Sequence, residues 1–135
     1  MRTKRVLAVS VFALVVVFPI LGGVALAHHS AAHYGNEEKA LKGTVVEYKW
    51  RNPHVYVVWD VKDDSGKVVQ WTGELASVTS SIADGMTKNS LKPGDEIIVR
   101  GFPNKTGSPE CLIRNIVKAD GTQVIQRNTA FIRQP

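Results

Sequence analysis

The sequence predicts a mainly β protein, a small five- to six-stranded barrel of the oligonucleotide/oligosaccharide-binding type with one short helix. Between Leu41 and Gln126 the chain carries five to six runs rich in Val, Ile, Tyr, Trp and Thr, each bounded by turn formers. Only the stretch after Ser77 has helical spacing. Three strands, a helix and further strands is the element order of that barrel. Closure also removes exposed strand edges, which suits a domain of this size. An open β-roll or half-sandwich made of the same strands is the competing architecture.

The first segment reads as an export signal. Met1-Arg2-Thr3-Lys4-Arg5 is cationic, Val6 to Phe18 is apolar, and Pro19 and Gly22-Gly23 break the helix. Ala25-Leu26-Ala27 then sets small residues where a signal peptidase reads. Cleavage between Ala27 and His28 predicts a periplasmic or secreted protein with no remaining membrane segment. The alternative is a retained anchor, because Val6 to Ala27 is uncharged and a bilayer core takes roughly twenty residues. The broken helix and the Ala-Leu-Ala end favour cleavage. The chain then divides into a signal (1–27), a polar histidine-containing leader (28–40), the barrel (41–127) and a loose tail (128–135).

Charge and cysteine content narrow the function classes. The full chain has 17 Lys+Arg against 12 Asp+Glu, a net charge of +5. Arg2, Lys4 and Arg5 leave with the signal, so the processed chain carries 14 basic against 12 acidic side chains, a net +2. A domain this close to neutral lacks the clustered basic face that nucleic-acid binding calls for. Cys111 is the single cysteine, so no intramolecular disulfide framework is available and the apolar core alone must hold the fold. A buried, inert thiol is expected there, with a soft metal ligand or an intermolecular disulfide as the alternative.

Each element has its own signature. Leu41 to Trp50, His54 to Val61 and Lys67 to Leu75 are strands, separated by the turn formers Asn52-Pro53 and Asp63-Asp64-Ser65-Gly66. Ser77 is placed to cap a helix of about two turns, with Val78 and Ile82 on its apolar face and Gly85 as its stop. Lys92-Pro93-Gly94 has proline and glycine where a type II turn wants them, and Asp95 to Gly101 follows as a strand. Phe102 to Glu110 reads as a loop and Cys111 to Lys118 as the next strand. Asp120-Gly121 then turns into a last strand, Gln123 to Gln126.

Several of these residues carry a family likeness. His28-His29-Ser30 after a signal, Gly43-Thr44-Val45, Trp50-Arg51-Asn52-Pro53-His54, and Trp71 followed by Glu74-Leu75 form one part of it. Leu91-Lys92-Pro93-Gly94-Asp95 and Gly107-Ser108 form the other. Together they resemble the secreted bacterial proteins grouped as domain of unknown function 6152, over nearly all of the processed chain. The Asn-Pro-His step and the Pro-Gly-Asp turn are the most specific marks. Met86 departs from the aromatic residue expected after Gly85, which bears on how the helix packs. The resemblance implies export and a small β domain, and it implies no reaction.

Two candidate sites follow. His28, His29 and His33 lie in the leader, and His54 follows the turn between the first two strands. Imidazole suits Cu, Zn and Ni, and Cu(II) takes a planar set of nitrogens. An N-terminal His28 would offer its α-amine and its ring together, with one further imidazole completing a brace. The amine, the His29 amide and the His29 ring form a different mode. Ser30 stands where the three-residue copper motif would need histidine. The plainer reading is a solvated leader, with the His54 ring hydrogen-bonding a carboxylate or carbonyl at the barrel end and so orienting the Asn52-Pro53 turn.

The second candidate is the strand Val55-Tyr56-Val57-Val58-Trp59-Asp60-Val61, in which both alternating sets are largely apolar. One set would point outward and dock a protein or glycan, with Trp50, Trp59, Trp71 and Phe102 stacking and Asn52, Asn104 and Lys105 bonding polar edges. Alternatively the aromatics fill the core. No nucleophile elbow, phosphate loop or His-Glu helix motif occurs, so no catalytic residue is assigned. Asp60 and Glu74 are carboxylates on neighbouring strands. A copper-dependent oxidase is the third function class, after metal binding and docking.

Overall fold

The computed structural model describes residues 32–127. The chain divides after Ala32, and the account that follows concerns the unit beginning at His33. The expected signal peptide, His28, His29 and the tail 128–135 lie outside the described residues. Among those described, no helix is long and apolar enough to cross a membrane.

The elements are β1 (Lys39–Lys49), β2 (Tyr56–Lys62), β3 (Val68–Glu74), α1 (Val78–Ala83), β4 (Glu96–Pro103), β5 (Glu110–Lys118) and β6 (Gln123–Gln126). All six strands join one sheet in the order β3-β2-β1-β4-β5-β6, and a further pairing of β3 with β5 closes it. That closing contact is parallel, setting Thr72 beside Glu110, Gly73 beside Cys111 and Glu74 beside Leu112. The circuit β1-β2-β3-β5-β4 is that of an OB-like barrel, as the element order predicts. The far half of β5 pairs instead with β6.

Strand β1 is shared between the two halves of the barrel. Its first part, Lys39 to Thr44, pairs with β4, and its second part, from Thr44 on, pairs with β2. Gly43 lies just before the changeover, where an added Cβ would stand 2.1 Å from the Asp60 carbonyl oxygen and 2.8 Å from Trp59 Cδ1. Only glycine permits so close a backbone approach.

Alternation along the strands delivers the core. Val45, Val57, Trp59, Ile97, Val99, Ile113, Ile116 and Ile125 are almost wholly removed from solvent. Cys111 joins them at 1 % exposure as a free thiol, and burial pushes its pKa up to about 12. A thiol so placed is the inert residue expected.

The turns follow their residues. Asp63 Oδ1 accepts hydrogen bonds from the backbone N–H groups of Ser65 and Lys67. Gly94 has φ +90°, and Asp95 N–H donates to the Lys92 carbonyl at 3.1 Å, as a type II turn requires.

Three details differ from expectation. The helix starts at the Ser77 cap, whose side chain accepts from Ser80 N–H, but Ile82 is 59 % exposed while Ser81 is fully buried. In so short a helix the i,i+3 pair Val78 and Ser81 shares a face as readily as the i,i+4 pair, and here it is the inward one. Met86, the departure from the family pattern, is 1 % exposed and packs in the core, a place its unbranched, adaptable thioether suits. Part of the leader is also held to the barrel: Gly35 N–H donates to Pro103 O at 2.8 Å and Lys105 N–H to His33 O at 2.9 Å, and Tyr34 bridges to Asn104.

Candidate functional site

One end of the barrel gathers the β1–β2 loop, the end of β3 and the held leader around a single carboxylate. Glu74 is the last residue of β3, opposite Tyr56 on β2, and is 9 % exposed. Its neighbours Gly73 and Leu75 are buried, so its side chain enters a region where an unpaired charge would be costly. Two donors meet it. His54 Nδ1 contacts Oε1, and Tyr34 Oη–H donates to Oε2 at 2.9 Å.

The β1–β2 loop presents His54 through several fixed points. The Asn52-Pro53 peptide is cis. Asn52 Oδ1 accepts from Val78 N–H at 3.1 Å, tying the loop to the first turn of α1. Val55 N–H donates to Ala76 O and Leu75 N–H to Val55 O, at 2.9 and 2.8 Å. The Asn-Pro-His step is thus a loop anchored on the helix, with the imidazole delivered to Glu74. With Nδ1–H held by the carboxylate, the His54 side chain keeps 37 % exposure and its Nε2 is the nitrogen left to accept or ligate.

Electrostatics keep the neighbouring phenols protonated. Burial, then the hydrogen bond to Glu74, holds the Tyr34 hydroxyl above its ordinary pKa. Tyr56, whose ring lies 6.5 Å from that of His54, is also raised, first by burial and then by Glu74. Tyr34 thus keeps the proton that it donates to Glu74.

The remaining candidates are distributed differently. His33 is exposed. Among the described residues, no three or more His, Cys, Asp or Glu side chains are grouped to hold a metal ion. Trp59 is fully buried, and its Nε1 has no hydrogen-bond partner. It lies 6.3 Å from Trp71, which packs partly buried against the core. Trp50 also packs against the core and lies 5.7 Å from Tyr48. Trp59 therefore presents no surface for stacking, and Val58, on the outward set, is only 6 % exposed, while Trp50 and Trp71 stay partly exposed.

Phe102 is half-buried on β4, opposite Leu112. Asn104 Nδ2 donates to Glu110 Oε2 at 2.9 Å, and its Oδ1 accepts from Thr106 N–H at 3.0 Å. Lys105 is exposed in the same β4–β5 loop, which β4 shortens by running on to Pro103. Asp60 and Glu74 are not a pair. Asp60 stands opposite Gln70 and accepts its amide at 3.1 Å, while Glu74 sits at the other end of the hairpin.

The hydrogen bond expected of the His54 ring to a carboxylate at the barrel end is present, with Glu74 as that carboxylate, whereas nothing in the leader sequence marks Tyr34 as its second donor. The signal for Glu74 was present in Gly73-Glu74-Leu75, a carboxylate at the end of an apolar strand. Such a group needs donors.

Comparison with protein families gives a match over residues 17–114, a span that includes Tyr34, His54 and Glu74. The chain belongs to the family of unknown function DUF6152. Comparisons with curated proteins and with solved structures give no significant match. Family membership thus accords with the resemblance carried by the Asn-Pro-His and Pro-Gly-Asp motifs, and the family description assigns no activity.

Proposed function

We propose that this small β-barrel is an exported binding module, processed between Ala27 and His28, whose ligand is a divalent metal, chiefly copper. The observation that carries the reading is the contact of His54 Nδ1 with the nearly buried Glu74. Metal-ligating histidines commonly give their second ring nitrogen to a carboxylate, which fixes the tautomer and raises the basicity of the ligating nitrogen. His54 has that support and a partly exposed ring. The donors in this reading are those of the processed N-terminus, the α-amine and ring of His28 or the amine with the amide and ring of His29, with one further imidazole completing a brace.

The reading has a pH signature. A ligating α-amine must lose its proton, and its reference pKa of about 7.7–8.0 makes affinity rise with pH through that range. Calorimetric titration of Cu(II) into the protein beginning at His28, a form with one extra residue before His28, and His54→Ala separates the donors. The processed form is expected to bind much more tightly than the extended one, and more tightly as pH rises. Equal affinity of those two forms removes the amino-terminal chelate from the reading, and unchanged affinity in His54→Ala removes His54. Intact mass of the exported protein tests the processing itself.

A further inference from the structure

The outer face of β4, β5 and β6 carries a second constellation, a groove of about 220 Å³ lined by Glu38, Arg100, Arg114, Asn115 and Gln126. It arises from one irregularity in the ladder. Arg100 pairs with Asn115, but Gly101 pairs with Ile113, so Arg114 is an extra residue on β5. The alternation of burial breaks at the same point: Ile113 and Ile116 are fully buried, while the consecutive Arg114 and Asn115 are both partly exposed. A bulge re-aims side chains in this way and is over-represented beside binding sites. Because Asn115 also stands opposite Gln126 on β6, a row of polar side chains crosses three strands.

The charges in this groove are unequal. Arg114 Nη1 pairs with Glu38 Oε2 at 2.7 Å, and its Nε–H donates to Arg127 O at 3.3 Å. A guanidinium has five N–H donors in a planar fork, so Arg114 keeps donors to spare. The side chain of Arg100, exposed on β4, makes no hydrogen bond or ion pair among the described residues. Two guanidinium groups thus face one carboxylate, leaving one positive charge uncompensated. Asn115 Oδ1 is buried and has no hydrogen-bond partner among the described residues.

The geometry points to a binding site for a small hydroxylated monocarboxylate, of the sugar-acid type. Arg100 and the free N–H groups of Arg114 receive the carboxylate, which matches the planar fork of guanidinium. Asn115 lines the groove, and the Gln126 amide lies in the same row to bond a hydroxyl of the ligand. A single uncompensated charge suits a monoanion better than a phosphate dianion. The lining contains no aromatic ring, so recognition is polar, and the groove is smaller than the roughly 300–1,000 Å³ that drug-sized ligands occupy.

Nuclear magnetic resonance titration of the isotopically labelled protein, produced from the full chain, tests the site with glucuronate as probe and glucose and inorganic phosphate as comparisons. Glucuronate is expected to shift the side-chain amide signals of Asn115 and Gln126, with glucose silent and phosphate weaker. Arg100→Gln changes an exposed position and should leave the remaining spectrum in place while weakening glucuronate by about tenfold or more, the loss typical of a charged hydrogen-bond donor. Arg114→Lys, which keeps a cation for Glu38 but loses the fork, should weaken it as well. The proposal is overturned if glucuronate leaves both amides unmoved, if both variants bind as the parent does, if glucose binds equally, or if phosphate is preferred.

Discussion

At Glu74 a carboxylate that is 9 % exposed receives both His54 and Tyr34. Truncating it leaves the partly exposed His54 ring to water but strands the half-buried Tyr34 phenol, whose pKa burial and this same carboxylate hold high. A stranded donor costs its own desolvation rather than the modest net value of one hydrogen bond. Glu74→Ala is therefore expected to lower unfolding stability by about 1–3 kcal/mol, read as a lower urea midpoint. It should also loosen the leader, so that proteolysis near Tyr34 speeds up. Unchanged stability and protection would show that the triad of side chains contributes nothing to the fold. That His54 bonds a carboxylate at the barrel end was legible from its place beside the Asn52-Pro53 turn, whereas Tyr34 and the identity of the carboxylate were not, because Tyr34 and His54 reach Glu74 from positions 40 and 20 residues away in the chain.

The turns show the opposite case, in which local sequence decides the structure. Asp63, Asp95 and Asp120 each sit in a turn that the sequence marks, and each carboxyl is held below its ordinary pKa. For Asp63 and Asp120 the largest cause is a side-chain hydrogen bond, from Ser65 and Thr122 respectively. For Asp95 burial opposes ionisation, and the hydrogen bonds from Lys118 and from the backbone of Lys92 outweigh it. A folded-state pKa below the unfolded value means that the stabilisation is complete above the unfolded carboxyl pKa of about 3.9. It is lost as pH falls through the folded values. Denaturant midpoints should therefore hold level in mild acid and fall from about pH 5 downward, with Asp95→Asn flattening part of that fall. Helix α1 is the element where local pattern misled: its cap and stop were readable, but which face turns inward depended on the barrel beneath it.

For the molecule as a whole, closure rests on the short parallel contact of β3 with β5. Gly73 lies in that contact, where a Cβ would stand 2.3 Å from Ile113 Cδ1 and push that core side chain aside. The barrel holds without any covalent link, because Cys111 is buried and free. The protein should accordingly give a mainly β far-ultraviolet circular dichroism spectrum, and reducing agent should leave its Tm unchanged. A drop in Tm on reduction would mean that an intermolecular disulfide contributes to stability.

The strands, their turns, the cap at Ser77 and the barrel order were determined by the sequence alone. They depend on alternation, β-branched content and turn chemistry, all of which act over a few residues. Only the tertiary structure decided that the tryptophans fill or line the core, that Asn52 holds α1, that Tyr34 and His54 converge on Glu74, and that the bulge at Arg114 opens a groove. Alternation marks two faces of a strand without saying which one the closed barrel will cover. Contacts between residues far apart in the chain exist only once the sheet has closed.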